Sequence, residues 1–523
     1  MKAAGIPGLS LAYVKAGKIQ EAYYLGVRST DTKEAVDSAT VFSAASLSKC
    51  VFAYAVMKLV DAGKLSLDSP LYKYLDYPDL RHDERYKKIT VRMTLSHTSG
   101  LPNWRNGQKL NFRYNPGEQY SYSGEGFVLL SKVVEKISGK PIGEWMQENA
   151  LTPLKMDRSS YIWESYFNND YAWPHTDLGK TTFHNNSTKA NMAYSLETTA
   201  GDYARFLMAL LNGKDLKKET FQAIFKPQPH SQFEKFPSQL AWGLGVGYEN
   251  TGAEKAFWQW GDNGNFKGFM IGYPGTKEGL VYFADSYNGL SILQDLVALY
   301  FPGEHPLIQW LGYDDYKSAG FQLIQRITSL PFREAVQPYL QPGKDQIDTN
   351  QLKEDALVST GFRLIELKKY DLALQTLDMS RKAYPNSAGA YEGLGFVALR
   401  TGNQAEAARQ FLHAYELDTS RKLIKRTADH IKGVADTSVG KPTEFILANV
   451  MEAMNVQLTG SFNGWNDATI PMTWINGAWR TTIRLRPGEY RYKFIVDGIW
   501  ISDPKNPNVK IDDNLNSVIV IKD

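Results

Sequence analysis

The sequence predicts a multi-domain chain: an α/β domain built on one antiparallel sheet with a helical insertion, an α-helical repeat segment, and a C-terminal all-β domain. Three observations carry this. Strand-like stretches at residues 8–15 and 19–27 are answered by three more across 255–286, with a long, mainly helical middle, so one sheet is expected from both ends of the domain. Residues 354–421 repeat with a period of 34. Residues 443–523 read as short strands separated by tight turns. A chain of 523 residues has room for about two to four domains.

Composition narrows the function classes. A net charge of +3 is too small to point to nucleic acid or an anionic membrane. Cys50 is the single cysteine, so no intramolecular disulfide framework is expected. No apolar run reaches about 18 residues, so no membrane span is expected. His97, His175, His184 and the other histidines do not cluster at zinc-ligand spacing, and no metal or cofactor is expected. Met1–Pro7 leads straight into a strand without a signal peptide. The start is abrupt, so a periplasmic or secreted protein is expected if an upstream signal has been removed, and a cytoplasmic one otherwise.

The first two strands are joined by a turn at Ala16-Gly17-Lys18. Next comes Phe42-Ser43-Ala44-Ala45-Ser46-Leu47-Ser48-Lys49, followed by the apolar run Val51–Val60, which reads as a buried helix. Ser46 falls in its first turn, and Lys49 lies three residues on, on the same face. A serine needs a base to become a nucleophile. A lysine becomes that base when burial and positive surroundings lower its pKa. A helix N-terminus supplies such surroundings and free N–H groups for an oxyanion. Alone, Ser-x-x-Lys is a weak signal, more readily read as a capping serine and a surface lysine.

Residues 89–102 read as a short helix ending in a Gly/Pro turn, with His97 as a structural hydrogen-bonder beside the turn rather than a base. Pro116–Gly124 is a polar, aromatic loop opening a helix over about Gly126–Ile137, which stops at Ser138-Gly139. Tyr122 at that helix mouth is a candidate general acid/base, or else a packed aromatic. A further loop and helix fill 192–213. Strands follow at Lys255–Gly261, Phe266–Tyr273 and Leu280–Asp285, then a helix over about Leu290–Tyr300.

These residues in this order resemble the serine β-lactamase / penicillin-binding-protein-like hydrolases, most closely the class C and family VIII esterase branch, over residues 3–312. Ser46-Leu47-Ser48-Lys49 matches the family's Ser-x-x-Lys, Leu95–Pro102 its helix-end signature, and Tyr122 the tyrosine of Tyr-x-Asn. The resemblance implies an α/β β-lactamase/transpeptidase-like fold with Ser46 as acylated nucleophile, Lys49 as proton acceptor and Tyr122 as acid/base. The chain departs at two points. Gly124 replaces the asparagine of Tyr-x-Asn. The strand motif Lys-Thr-Gly or His-x-Gly aligns best with Asp262-Asn263-Gly264, which expects those residues in the substrate pocket and the backbone N–H groups of Ser46 and Asn265 as oxyanion hole. A shift of three, onto Gln259-Trp260-Gly261, is the other register. In either, the motif's cation is missing, which disfavours carboxylate-bearing substrates such as β-lactams.

Residues 313–353 are expected as a helical connector leaning on the first domain. In 354–435, Gly361 recurs as Gly395, Ala373 as Ala407 and Leu377 as Phe411; small residues let helices cross and the apolar ones fill the gap. This resembles two tetratricopeptide repeats, with Arg421–Gly433 as a capping helix, acting as a spacer. Residues 443–523, with Leu458–Asn466 and Gly488–Trp500, resemble the glycogen-binding, family-48 carbohydrate-binding modules, implying an immunoglobulin-like β-sandwich. There Trp465 and Trp500 are implied to stack on sugar rings, and Lys493 and Asn516 to bond hydroxyls. The implied partners are a small ester or amide and a glycan.

The expected function is an esterase on small or carbohydrate-linked acyl esters. The alternatives are a D-amino-acid peptidase or β-lactamase, with Lys267 or Arg105 supplying the missing cation, and a degenerate binding scaffold.

Overall fold

The computed structural model describes residues 1–105, 107–184, 186–252, 254–434, 440–448, 450, 453, 455–463, 465, 470–497, 499–506, 509–510 and 516–522. It divides into two units, the first comprising Met1–Arg105 and Lys109–Tyr316, the second Asn106–Gln108 and Lys317–Asp523.

In the first unit, β1 (Gly8–Lys15) and β2 (Lys18–Gly26) form a hairpin. Ala16 and Gly17 both take positive φ, 51° and 73°, the turn whose twist matches the strands. The three longest helices described within the insertion are α1 (Ser48–Asp61), α2 (Gly124–Ser138) and α3 (Ala200–Asn212). Ser123 caps α2 by accepting from Gly126 N, and Thr199 caps α3 by accepting from Asp202 N. The chain then returns through β3 (Leu240–Trp242), β4 (Gly247–Asn250), β5 (Lys255–Asp262), β6 (Lys267–Tyr273) and β7 (Glu278–Ala284), and closes with α4 (Leu293–Tyr300) and α5 (Pro306–Leu311).

The sheet has seven antiparallel strands in the order β2-β1-β7-β6-β5-β4-β3. The first and last segments therefore meet at its centre, as expected. Two strands, β3 and β4, escape the sequence reading. They are three and four residues long and are parted by Gly243-Leu244-Gly245-Val246, too short to display an alternation. Sheet residues Val14, Phe257 and Met270 pack with α1 and α3 on one face; Leu11, Trp258 and Ile271 pack with α4 and α5 on the other. β6 is buried throughout, and burial on both faces is why its residues after Lys267 do not alternate with charged ones.

The second unit opens with α6 (Ala319–Ser329), then α7 (Glu354–Glu366), α8 (Tyr370–Ala383), α9 (Ala388–Arg400), α10 (Gln404–Leu417) and α11 (Lys422–Val434). The helix pairs α7/α8 and α9/α10 begin 34 residues apart. A Cβ on Gly361 would meet the Leu377 side chain at 2.4 Å, and one on Gly395 would meet Phe411 at 2.4 Å, which is the crossing the small residues were read to permit. The connector packs on the repeats. Leu323, Ile324 and Ile327 of α6 share a core with Leu357 and Leu364, because the first repeat would otherwise expose that face.

The C-terminal part carries β8 (Lys441–Ala448), β9 (Val456–Gly460), β10 (Thr473–Ile475), β11 (Ala478–Leu485), β12 (Gly488–Val496), β13 (Ile499–Ile501), β14 (Val509–Lys510) and β15 (Asn516–Ile521). One sheet has the order β8-β11-β10; the other has β9-β12-β15-β14, with β13 on β12. Phe445 and Leu447 of the first meet Leu458, Tyr492 and Phe494 of the second in one core, giving a sandwich.

Candidate active site

Phe42–Ser43 pairs with Glu197–Thr198 as a short ribbon, and Ala44 N donates to Leu196 O at 2.8 Å. The chain then turns through Ala45 at φ +48°, a left-handed conformation unfavourable for a residue with a Cβ. A 3-10 turn, Ala45–Leu47, runs on into α1. The turn is held from outside: Tyr203 OH donates to Leu47 O at 2.9 Å and Tyr161 OH to Ser48 O at 2.7 Å. Ser46 is thereby left partly exposed while Phe42 to Ala45 are buried.

Lys49 Nζ donates to Ser46 Oγ at 3.1 Å and to Ala193 O at 2.7 Å. The lysine is 1% exposed, and burial pushes its pKa down to about 7. A large neutral fraction at neutral pH is what a base beside a serine requires. The Tyr122 hydroxyl hydrogen-bonds Ser46, and its ring lies 4.9 Å from Lys49 Nζ. Burial raises the phenol above its ordinary range; the hydrogen bonds with Ser46 and Gln259 offset this only in part. Tyr122 therefore keeps its proton, which suits a donor and leaves the base role to Lys49.

His97 takes φ +56°, accepts from Ser123 N on Nδ1 at 3.0 Å, and lies under Tyr122 with ring centroids 4.1 Å apart. Burial holds it neutral, well below the usual histidine range. It supports Tyr122 and the start of α2, the structural role read from its place beside a turn.

The strand motif falls on the other register. Gln259 Nε2 donates to the Tyr122 hydroxyl at 2.9 Å and to Ser46 O at 3.1 Å. A Cβ on Gly261 would sit 2.6 Å from Ala44 O, so the strand backbone lies directly against the nucleophile turn. Of the three residues expected in the pocket, Asp262 ends β5, and Asn263 and Gly264 begin the hairpin turn, with Asn263 Nδ2 donating to Ser43 Oγ at 3.0 Å and to Tyr194 O at 3.4 Å. Gly264 has φ +72°, and Asn263 N donates to Phe266 O at 3.1 Å. Asn-Gly is a hairpin-turn dipeptide, and that signal was there to be read. Asn265 is carried past Ser46, and its Nδ2 donates to Thr182 Oγ1 at 3.0 Å. The bond from Asn263 to Phe266 instead turns the N–H of Asp262 away from β6. On that side β4 has already ended, its last pairing being Gly247 with Trp258.

The two cations named for a carboxylate substrate are both engaged. Arg105 Nη2 donates to Glu125 Oε2 at 2.8 Å, and Nη1 meets Asp79. Lys267 Nζ donates to Asp262, whose other oxygen accepts from Tyr313 OH at 2.6 Å.

In the sandwich, Trp465 and Trp500 lie with ring centroids 6.3 Å apart. Trp500 is 40% exposed. Trp465 is half-buried, and its backbone oxygen accepts from Arg400 of α9 at 3.1 Å. Lys493 is half-buried on β12, and Asn516 is 3% exposed on β15. The tryptophans thus stand together, whereas Asn516 lies inside.

The family described as Beta-lactamase matches residues 1–295, and that described as Glycogen recognition site of AMP-activated protein kinase matches residues 442–523. Protein flp of Staphylococcus aureus (strain MW2) is 23% identical over 302 residues, covering 54% of this chain and 60% of that protein. Penicillin-binding protein 4 of Amycolatopsis lactamdurans is 28% identical over 220 residues, 39% of this chain and 56% of that one. The chain therefore spans less than two thirds of these relatives. The octameric penicillin-binding protein homologue from Pyrococcus abyssi superposes with a TM-score of 0.51 at 23% identity, over 62% of this chain and 78% of that one, a likeness of fold.

Proposed function

The chain belongs to the beta-lactamase family, and from that premise we propose that it is a serine hydrolase acting on uncharged acyl esters through an acyl-enzyme on Ser46. The observation that carries this is Ser46 Oγ held between Lys49 Nζ, at 3.1 Å, and the Tyr122 hydroxyl. Neutral Lys49 takes the serine proton as Oγ attacks the ester carbonyl. The oxyanion is received by the N–H groups of Ser46 and Asp262. Tyr122 passes a proton to the departing alkoxide and is reprotonated from Lys49. Water then attacks the acyl-enzyme by the reverse relay and releases the acid. Engagement of Arg105 and Lys267 by carboxylates is the reason for preferring esters without a carboxylate.

The test is turnover of p-nitrophenyl acetate and butyrate, with intact-mass detection of adducts from a fluorophosphonate and from penicillin G. Turnover and a fluorophosphonate adduct, both lost in Ser46→Ala, are expected. A penicillin adduct as well would favour the D-amino-acid peptidase or β-lactamase reading, which the name of the Amycolatopsis relative supports. No adduct from either would leave a binding scaffold.

The C-terminal sandwich is read as a glycan-binding module, on the match over residues 442–523 and the paired Trp465 and Trp500. An acyl ester carried on a glucan is then a natural substrate class.

A further inference from the structure

We propose that Trp104 is a specificity-determining residue that closes the acyl side of the site and restricts the acyl group to a short chain; this rests on the hydrolase reading above. The residues on either side of Trp104 are fixed to the first turn of α2. Asn103 O accepts from Gly124 N and Glu125 N, each at 3.1 Å, and Asn103 Oδ1 accepts from Gly124 N at 3.0 Å. Arg105 N donates to Glu125 Oε1 at 3.1 Å, and its Nε donates to both carboxylate oxygens at 3.1 Å. That carboxylate is 6% exposed, a buried clamp rather than a surface contact.

Between these anchors the indole is pressed onto the helix start. A Cβ on Gly124 would lie 2.6 Å from indole Cη2 and 2.8 Å from Cζ2. Gly124 and Trp104 are thus a matched pair: the space a side chain at 124 needs is filled by the indole and by the Asn103 carbonyl oxygen, 2.8 Å away. The indole centroid lies 6.0 Å from Lys49 Nζ and 5.6 Å from the Tyr194 ring, nearly perpendicular to it at 81°. Tyr194 follows Ala193, whose carbonyl holds Lys49 at 2.7 Å, so two separate segments fix this aromatic wall relative to the base.

The direction follows from the other groups. With the oxyanion on the outer edge of β5 and the leaving oxygen under Tyr122, the remaining substituent of the tetrahedral carbon points to Trp104 and Tyr194. Ser46 Oγ is 3.1 Å and the indole centroid 6.0 Å from Lys49 Nζ, so the centroid is at most about 9 Å from Oγ; subtracting a contact distance of about 4 Å leaves room for at most roughly four carbons. Longer chains must displace an indole that the Asn103 and Arg105 bonds hold in place.

The experiment is kcat/KM of the full chain on p-nitrophenyl acetate, butyrate and octanoate for wild type, Trp104→Ala, Trp104→Phe and Gly124→Ala. The wild-type value is expected to fall at least tenfold from butyrate to octanoate. Trp104→Ala is expected to raise the octanoate-to-acetate ratio at least tenfold, and Gly124→Ala to change it by displacing both the indole and the Asn103 carbonyl that anchors it. Should Trp104→Ala fail to fold, Trp104→Phe and Gly124→Ala carry the test. Turnover with a ratio unchanged within twofold in the folded variants overturns the proposal alone. A shift confined to a series of alcohol lengths overturns it too. Absence of both turnover and a fluorophosphonate adduct on Ser46 in wild type overturns the hydrolase reading, and this with it.

Discussion

Lys49 is 1% exposed among the rings of Tyr122, Phe127 and Trp104, and the hydrogen-bond partners described for its amine, Ser46 Oγ and Ala193 O, are neutral. Its folded pKa of about 7 lies below the unfolded value, so the unfolded chain holds the extra proton between about pH 7 and 10.4 and stability rises with pH across that window. Lys49→Met is therefore expected to abolish ester turnover and to stabilise the fold, by roughly 2–4 kcal/mol at pH 7, less toward pH 10; denaturant melts at the two pH values check it. In wild type kcat/KM should rise with pH through about 7, because the base works unprotonated, and a pH–rate profile falling across that range would contradict the assignment. The pairing of Ser46 with Lys49 was legible because one helical turn puts residues three apart on one face. Gln259 was legible only as the second of two registers, because its place depends on which residues leave the strand for the turn. Trp104 had no signal of its own; it reaches the site through long-range bonds to α2.

Among elements, α5 is held to the sheet by a buried pair. His305 Nδ1 meets Glu249 Oε2 at 2.8 Å, His305 Nε2 meets Phe301 O at 3.0 Å, and Leu307 N donates to Glu249 Oε1 at 2.9 Å. Burial opposes the imidazolium charge, but the hydrogen bond and charge of Glu249 outweigh it and raise the pKa. A raised histidine stabilises below its unfolded pKa, about 6.5, and the contribution fades as pH rises through the folded value. Glu249→Gln is expected to cost about 3–5 kcal/mol at pH 6, since it leaves a buried cation unpaired. Lys49 acts with the opposite sign, so the measurement is the gap in melting temperature between wild type and variant, which should narrow from pH 6 to pH 9. A gap independent of pH would sink the ion-pair account. The repeats make a second prediction at this scale. Gly395→Val should destabilise the helices by about 1–3 kcal/mol through collision with Phe411, and Phe411→Leu should relieve part of it; urea melts of the single and double variants decide. These crossings were legible because a repeat states each contact twice. Strands β3 and β4 were not, because three or four residues broken by glycines carry no period.

At the scale of the whole chain, the esterase and glycan readings stand on different residues, which makes them separable. Trp500 is 40% exposed and lies 6.3 Å from Trp465, so truncating it removes an apolar platform from solvent without opening the sandwich core, which is built on Phe445, Leu458 and Phe494. Trp465 is a poorer probe, because Arg400 bonds its backbone and packing and binding would be confounded. Stacking on a sugar face is worth a fraction of the binding energy of each aromatic, about 1–2 kcal/mol. Trp500→Ala should therefore weaken retention on glycogen about tenfold in affinity electrophoresis, with the melting temperature of the chain unchanged and p-nitrophenyl butyrate turnover intact. Ser46→Ala should give the mirror result, no turnover and full retention. If wild type shows no retention on glycogen, the sandwich is a packing module, and the acyl ester must be sought on small molecules. If Trp500→Ala loses turnover as well as retention, the two functions share a surface and their independence is refuted.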